Sequence, residues 1–198
     1  MSAHILNVIT LAERTDRRNF LIKQLAQQKV QHRLWYGFKV DGKPFTGISR
    51  AHKQIIDFAK NSQLPYVTVA EDDIKFTSPK SWKYYIDNMP EEFDIYLGSV
   101  SGGVVDEAAG TVAWWSGMIL YTVHQRFYDA FLKADEQKNI DKWLSGTGLE
   151  EIERLLGRPP VYKICYPIAA ICVDGFSDNS KKEVSHDQYF KAYKQFNG

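Results

Sequence analysis

Short apolar segments alternate with helix-like segments along almost the whole chain, and this alternation limits the folds that the chain can adopt. The apolar segment Ile5–Leu11 is followed by residues at helical spacing. The same order returns at His32–Val40 followed by Ser49–Lys60, and a further apolar segment spans Tyr66–Ala70. Strands that alternate with helices form mostly parallel sheets, because each helix crosses over between two strands. The sequence therefore predicts an α/β fold with a mostly parallel central sheet flanked by helices.

The second half of the chain continues the alternation. Phe93–Val100 and Val161–Val173 are strand-like, and Val112–Val123 predicts one or two strands. Amphipathic patterns beginning at Phe127 and at Leu149 predict two helices between these segments. No repeat, low-complexity stretch or long linker divides the chain, so we expect one domain over residues 1–198.

Polar residues at the starts of helices predict where those helices begin. Thr15 or Asp16 is expected to cap the first helix, because their side chains can accept hydrogen bonds from free backbone N–H groups. Ser78 is expected to cap another helix that carries Pro79 at its first position and continues to about Asn88.

The charge of the chain excludes one class of partner. The formal net charge is +1 with acids and bases interspersed, so no broad basic surface is available for nucleic acid. Aromatic residues form 14% of the chain, which is typical of a folded core rather than of a disordered segment.

The cysteines and the apolar runs indicate a cytoplasmic location. Cys165 and Cys172 lie in an apolar segment, where free buried thiols are more common than a disulfide. No pattern typical of a signal peptide is visible at the N-terminus. The longest uncharged run, Ala108–Val123, contains two glycines and is too short to span a membrane.

Three carboxylates follow the predicted strand Tyr66–Ala70 directly, in the sequence EDD. Ligands of α/β proteins collect at the carboxyl ends of the strands, which is where Glu71, Asp72 and Asp73 lie. An extended backbone would place Glu71 and Asp73 on one face and Asp72 on the other. Neighbouring carboxylates repel each other, and a magnesium or manganese ion would relieve that repulsion. A solvated loop that caps the following helix is the alternative.

Basic residues gather between the first strand and the first helix, in the sequence ERTDRR. Arg14, Arg17 and Arg18 lie where a helix N-terminus already favours anions, and so small a patch suits a phosphate group. Ion pairs with Glu13 and Asp16 on a solvated helix face are the alternative.

Several single residues have a weaker signal. His52 lies on the second helix, where histidines are most often hydrogen-bonded packing residues, and Asp141 most often would only cap a helix. The segment WWSGMILYT, which contains Gly117, could line a sugar site or belong to the core. Asp178 and His186 lie in the polar tail.

The order of these motifs resembles that of the family 25 glycosyltransferases, enzymes of lipooligosaccharide synthesis that are related to collagen galactosyltransferases. The matching stretches are ERTDRR, then GISRAH, then VTVAEDDIKF, then SGMILYTVHQRFYDAFLKA, then Ile140-Asp141, and finally SDNS near the end. The chain differs from the family pattern at Ile48, Ala51 and Asn179. The resemblance spans most of the chain, and its most specific part is the combination of the first three motifs.

The resemblance implies a nucleotide-binding α/β sandwich of the GT-A type. It implies transfer of a hexose, galactose or a similar sugar, from a UDP-sugar to a glycan hydroxyl in lipopolysaccharide or other cell-surface polysaccharide synthesis. A nucleotide-sugar donor and a glycan acceptor are then the expected partners. We expect no membrane span, and only peripheral contact with a membrane-borne acceptor.

The resemblance also implies roles for individual residues. The expected nucleotide-sugar contacts are Thr10, Leu11, Arg14, Arg17, His52, Glu71, Asp72 and Gly117. Asp73 is the expected main ligand of Mn²⁺ or Mg²⁺, with Glu71 or Asp72 helping through the metal, a water or the ribose. His186 or Asp178 is expected to complete the metal shell from the tail. Asp141 is the expected catalytic base that acts on the acceptor hydroxyl.

Two other functions remain open from the sequence. A non-catalytic sugar- or nucleotide-binding protein could have the same fold without the chemistry. A metal-dependent phosphoesterase would also use clustered acids, although the further His/Asp motifs that such enzymes need are not found.

Overall fold

A central sheet of eight strands forms the middle of the protein. The computed structural model describes residues 4–178 and 181–198, so Asn179 and Ser180 of the SDNS motif lie outside the described residues. The strands in chain order are β1 (Ile5–Thr10), β2 (Gln31–Tyr36), β3 (Tyr66–Glu71), β4 (Ile74–Phe76), β5 (Ile95–Leu97), β6 (Gly102–Asp106), β7 (Thr111–Ser116), β8 (Leu120–His124), β9 (Tyr162–Ile164), β10 (Ala170–Cys172), β11 (Gly175–Ser177) and β12 (Lys182–Val184).

The order of the strands in the central sheet is β2-β1-β3-β8-β5-β9-β7-β6. β1 pairs in parallel with β2 and β3, and β5 pairs in parallel with β9. β8 and β7 are antiparallel to their neighbours, so the other six strands run in one direction. The predicted α/β class with a mostly parallel central sheet is therefore confirmed.

Helices pack on this sheet, which has a continuous apolar core. They are α1 (Thr15–Gln28), α2 (Pro44–Asn61), α3 (Ser81–Asp87), α4 (Tyr128–Leu132), α5 (Ile140–Lys142), α6 (Leu149–Leu156) and α7 (Asp187–Phe190). One turn of 3₁₀-helix precedes α4, and a π-helical turn, Trp143–Thr147, links α5 to α6. α2 buries its apolar stripe, which includes Ile55, Ile56 and Ala59, because these residues share one face at helical spacing.

The topology brings three chain segments to one edge of the sheet. Ile9 of β1 is in register with Glu71 of β3, and Thr10 is in register with Tyr36 of β2. These three strands are parallel, so their carboxyl ends all open on the same side. The motif ERTDRR, which continues into α1, the segment 37–42 and the motif EDD, which begins at the last residue of β3, therefore lie at this edge.

The two predicted helix caps are wrong. α1 begins at Thr15 with Arg14 in the N-cap position, and no side chain caps it. α3 begins at Ser81 rather than at Pro79, with Lys80 in the N-cap position. The reason at α3 is a long-range contact: the side chain of Gln28 on α1 accepts a hydrogen bond from Trp82 N at 2.9 Å. Short-range cap patterns cannot reveal an acceptor from another helix.

Two strand predictions need a finer division. Val112–Val123 forms two strands, β7 and β8, as one alternative anticipated. Val161–Val173 is divided between sheets, because β9 belongs to the central sheet and β10 pairs with β4. A bend between them contains the cis bond Tyr166–Pro167. The polar tail forms the small hairpin of β11 and β12, which the sequence pattern does not indicate.

Two further predictions concern the cysteines and the membrane. Cys165 and Cys172 are both buried free thiols, as predicted. Across residues 4–178 and 181–198, every helix is too short or too polar to cross a bilayer.

A fully buried carboxylate joins the start of β5 to two other parts of the fold. Asp94 accepts hydrogen bonds from Arg126 Nε at 2.8 Å, from both terminal nitrogens of Arg158 at 2.7 Å and from Val161 N at 2.7 Å. Burial alone would raise the pKa of Asp94, but Arg158 and the backbone N–H of Val161 outweigh burial and lower it.

This cluster predicts both a mutational and a pH effect on stability. Asp94→Asn is expected to lower the free energy of unfolding by about 1–3 kcal/mol, because buried donors lose an acceptor. A carboxylate whose pKa is lowered by folding stabilises the native state above its unfolded pKa, and that contribution is lost as the pH falls through the folded value. Urea titrations of both proteins at neutral pH and below pH ~4 measure the two effects.

Asp129→Asn is the matched control for this prediction. Asp129 pairs with Lys60 on the surface, and its side chain is 76% exposed. The same chemical change there is expected to alter stability by less than about 1 kcal/mol at any pH. Equal effects of the two substitutions would contradict a stabilising role of the buried cluster.

Candidate functional site

A cavity of about 760 Å³ opens at the carboxyl edge of β1, β2 and β3, a size that suits a nucleotide-sugar. Many of its lining residues were predicted from the sequence. They are Thr10, Leu11, Arg14, Arg17, Glu71, Asp72, Asp73, Gly117, Asp141, Asp178 and His186. Motifs that are far apart along the chain are therefore brought to one cavity by the strand order.

The ERTDRR segment places two of its three arginines at the cavity. Arg14 donates to Asp178 Oδ2 at 2.6 Å and also pairs with Asp16. Arg17 donates from Nη2 to the carbonyl of Phe176 at 2.9 Å. Arg18 turns away and donates to the carbonyl of Leu11 at 2.6 Å, which fixes the backbone where β1 ends.

The guanidinium of Arg17 joins the first motif to the EDD motif. Its Nη1 donates to Asp72 Oδ1 at 3.1 Å and to Asp73 Oδ2 at 3.0 Å. The backbone turns at residues 72 and 73 between β3 and β4, so the extended arrangement that would put Glu71 and Asp73 on one face is not formed. Because of the turn, Asp72 and Asp73 reach the same cation.

Burial dominates the protonation of this carboxylate pair. It raises the pKa of Asp73, as does the charge of Glu71, while Arg17 and His186 act in the opposite direction. Burial likewise raises the pKa of Asp72, although a hydrogen bond from Thr10 lowers it. A raised carboxyl pKa means that the negative charge is insufficiently compensated. The pair therefore has the capacity to bind more positive charge than one guanidinium supplies.

Glu71 is in contact with a buried pair of polar side chains, His52 and Tyr121. His52 is 1% exposed and does not line the cavity. Its Nε2 lies 3.3 Å from Glu71 Oε1, and its Nδ1 lies 2.6 Å from the hydroxyl of Tyr121. His52, which was predicted to contact the nucleotide-sugar, is therefore connected to the cavity only through Glu71.

Asp141 lies on α5 and lines the cavity next to Gly117, the residue that follows β7. Its Oδ2 accepts a hydrogen bond from Gly117 N at 2.7 Å, and its Oδ1 accepts one from Lys142 N at 2.6 Å. Gly117 has φ +94°, and a Cβ there would come 2.8 Å from Ser101 Oγ, so this tight position requires glycine. The carboxylate and the backbone of residue 117 are thus fixed against each other.

The tail hairpin covers the cavity beside α1. Asp178, which follows β11, is engaged by Arg14, and Lys39 Nζ lies 3.6 Å from its Oδ1. Burial would raise the pKa of Asp178, but Arg14 and Lys39 outweigh burial and lower it. Of the two tail residues predicted as alternative metal ligands, Asp178 is therefore already occupied by two cations.

Some lining residues were not predicted from the sequence. Lys39, Lys142 and Lys181 add positive charge to the cavity wall. Gly47 allows the first turn of α2 to approach the segment after β2, because a Cβ there would overlap the carbonyl of Phe38 at 2.1 Å. Lys39 lies in the segment after β2, which ends at Tyr36 rather than at the predicted Val40, so the sequence pattern placed it inside a strand.

The residues at this edge fit a metal ion that is bound together with phosphate. In residues 4–178 and 181–198, no three His, Cys, Asp or Glu side chains are grouped to hold a metal ion. Mg²⁺ is usually held by one or two carboxylates together with substrate phosphates, rather than by a complete protein cage. Asp72 and Asp73, whose charge Arg17 compensates only in part, supply that partial set.

The protein is similar to solved glycosyltransferase structures. One is a glycosyltransferase involved in the glycosylation of the major capsid of PBCV-1, with 10% identity, a TM-score of 0.51, and coverage of 82% of this chain and 81% of that one. Another is a mutant of Drosophila β1,4-galactosyltransferase 7 in complex with manganese, UDP-Gal and xylobiose, with 10% identity, a TM-score of 0.53, and coverage of 99% and 82%.

Comparisons of the sequence itself give no match. No model of a known protein family matches the chain, and no curated protein matches it significantly. The resemblance to family 25 therefore stays a prediction. The structural similarity confirms the fold expected from the sequence: the chain has the GT-A-like α/β fold of glycosyltransferases.

Proposed function

We propose that this protein is a glycosyltransferase that transfers a hexose, galactose by the family resemblance, from a UDP-sugar to a glycan hydroxyl. The observation that carries the proposal is the cavity, in which an arginine-rich helix start, a buried carboxylate pair and a separate carboxylate face one another. A cell-surface polysaccharide is the proposed acceptor, reached by peripheral contact where that acceptor is membrane-borne. The proposed location of the enzyme is the cytoplasm.

The donor would lie along the carboxyl edge of β1 to β3. Thr10 and Leu11 border the nucleotide at the end of β1. Arg14 and Arg17 lie at the start of α1, where the helix N-terminus favours the negative diphosphate. His52 supports this site through Glu71, whose carboxylate faces the donor.

Asp73 and Asp72 would hold a Mn²⁺ or Mg²⁺ ion together with the donor diphosphate, and His186 of the same cavity lining would have to approach the ion to become a third protein ligand. His186 is favoured over Asp178 because Arg14 and Lys39 already occupy the carboxylate of Asp178. A divalent ion bound there stabilises the charge of the leaving diphosphate.

Asp141 would act on the acceptor hydroxyl. Its carboxylate takes the proton as the acceptor oxygen forms a bond to the anomeric carbon, and the bond from that carbon to the diphosphate breaks with its electrons on the diphosphate. Both oxygens of Asp141 already accept backbone N–H groups. That contact favours the second candidate, a non-catalytic sugar- or nucleotide-binding protein in which Asp141 only supports Gly117.

A thermal-shift panel tests the donor assignment. We expect UDP with Mn²⁺ at about 100 times its dissociation constant to raise the melting temperature by about 5–10 °C. UDP-galactose with Mn²⁺ is expected to act in the same way, since the diphosphate and the carboxylate pair share one ion.

GDP and CMP with Mn²⁺ serve as matched nucleotides in this panel. Calorimetry that shows tight GDP or CMP binding and none for UDP would contradict the uridine assignment. Binding of UDP-galactose without any transfer to a panel of glycans would favour the non-catalytic alternative.

A further inference from the structure

The hairpin of β6 and β7 forms the outer edge of the central sheet and contains a β-bulge. Gly103 pairs with Trp115 and Val105 pairs with Val112, so one residue of β6 faces two residues of β7, 113 and 114. A bulge of this kind changes the direction in which the following side chain points, and such bulges are common next to active sites.

The bulge separates two neighbouring tryptophans. Trp115 is fully buried and packs edge-on against Tyr162. Trp114 lies on the other face of the strand and is 49% exposed. A core role therefore explains Trp115 but not Trp114, whose large apolar ring remains in contact with water.

The exposed ring belongs to a small apolar surface that we call the hairpin platform, formed by Trp114, Val104 and Gly102. Val104 is 58% exposed and shares its face of β6 with Gly102, since residues alternate along a strand. A Cβ built on Gly102 would lie 3.6 Å from Cη2 of Trp114, so the outer edge of the indole extends over this glycine. The ring is supported by the hairpin below it and leaves about half its surface open.

The hairpin platform continues into the cavity along β7. Ser116 lies on the same face of β7 as Trp114 and lines the cavity, and its hydroxyl is 3.3 Å from that of Ser101. Gly117, the next residue, donates to the carboxylate of Asp141. Gly117 comes three positions after Trp114, a span of about 10 Å along an extended backbone.

We infer that the hairpin platform binds a sugar ring of the acceptor glycan, beyond the sugar whose hydroxyl lies at Asp141. Pyranose rings have an apolar C–H face that can lie against an indole. The hydroxyls of Ser101 and Ser116 lie between the hairpin platform and Asp141, where they could bind the sugar that is attached to this ring. A rigid tryptophan contributes a large contact area at little cost in conformational entropy. The inference rests on the proposed function, because it assigns the part of the same site that would bind the next sugar of the acceptor glycan.

Glycan binding measured without turnover tests the inference. The probes are xylobiose, lactose and chitotriose, titrated by calorimetry into the full chain with UDP and Mn²⁺ present. Trp114→Ala is expected to weaken binding of the sugar that the wild type binds best by about 10- to 100-fold. Trp114→Phe, which keeps a smaller ring, is expected to recover part of that loss. Leu155→Ala is the matched control, since it removes a 45% exposed apolar side chain from α6.

The outcomes separate this inference from the proposed function. The melting-temperature rise with UDP and Mn²⁺ is expected to be the same in Trp114→Ala as in the wild type, since the platform lies outside the donor site. Glycan affinity that is unchanged in Trp114→Ala would overturn the inference while leaving the donor assignment intact. A wild type that binds UDP but none of the three sugars would also overturn it. The inference would also be overturned if sedimentation showed that the wild type is a dimer and that the only effect of Trp114→Ala is to make it a monomer.

Discussion

Replacement of Asp141 by asparagine is expected to slow sugar transfer by about 100- to 10,000-fold, the usual loss when a well-placed general base is removed. Asparagine cannot take the proton of the acceptor hydroxyl at neutral pH. Binding of UDP with Mn²⁺ should remain close to that of the wild type, because the proposed role of Asp141 concerns the acceptor hydroxyl and not the nucleotide. Transfer from UDP-galactose and calorimetry with UDP measure the two quantities on one preparation.

This substitution also has a structural effect that must be separated from the chemical one. Gly117 N and Lys142 N donate to different oxygens of Asp141, and asparagine replaces one of these oxygens by an NH₂ group, which cannot accept a hydrogen bond. Ser145→Ala is the matched control, because Ser145 Oγ donates at 2.7 Å to the carbonyl of Trp115 on β7, the strand that ends just before Gly117. We expect this control to lower the melting temperature and leave transfer close to the wild-type rate. An unchanged transfer rate in Asp141→Asn would show that Asp141 is not the catalytic base and only supports the backbone at Gly117.

Replacement of Asp73 by asparagine is expected to abolish transfer and to remove the Mn²⁺-dependent part of UDP binding. The same substitution should leave the melting temperature of the ligand-free protein equal or slightly higher, because Asp73 is buried, repelled by Glu71 and shares Arg17 with Asp72. A charge whose pKa is raised by folding costs stability at neutral pH, and the amide removes that charge. Melting temperatures with and without Mn²⁺ and UDP test both parts.

Asp16→Asn provides the matched control for this second substitution. Asp16 also pairs with an arginine of ERTDRR, but its side chain is 66% exposed and outside the cavity lining. The rise in melting temperature with Mn²⁺ and UDP should persist in that variant. A lower melting temperature in Asp73→Asn, together with no metal effect in the wild type, would make EDD a capping turn instead.

The order of strands and helices in the first half of the protein could be read from the sequence for a physical reason. β1, β3 and α2 have one face or both faces in the core, so their apolar periodicity is strong. The start of α3 could not be read, because Gln28 reaches it from α1 across the fold. Each strand of the tail hairpin has only three residues and none of them is buried, so no apolar period distinguishes it from a loop.

The candidate site was partly predictable because ligand-binding residues follow strands. Glu71, Asp72 and Asp73 could be placed at the carboxyl edge once β3 was recognised. The role of Arg17 between two of them could not, since it depends on a turn at residues 72 and 73 and on the angle at which α1 leaves β1. The burial of His52 behind Glu71 was likewise a property of packing alone.

The pairing of one guanidinium with two buried carboxylates makes the two expected ligands depend on each other. A cation that displaced Arg17 alone would leave Arg17 without its carboxylate partners, and a diphosphate that drew Arg17 away alone would leave buried Asp72 and Asp73 without a cation. When both enter, the metal ion would pair with Asp72 and Asp73 and the diphosphate would pair with Arg17. Binding is then cooperative, and by thermodynamic reciprocity Mn²⁺ strengthens UDP binding by the same factor as UDP strengthens Mn²⁺ binding. Free metal or free nucleotide would each bind more weakly alone than together, so the site would respond most strongly to their joint presence.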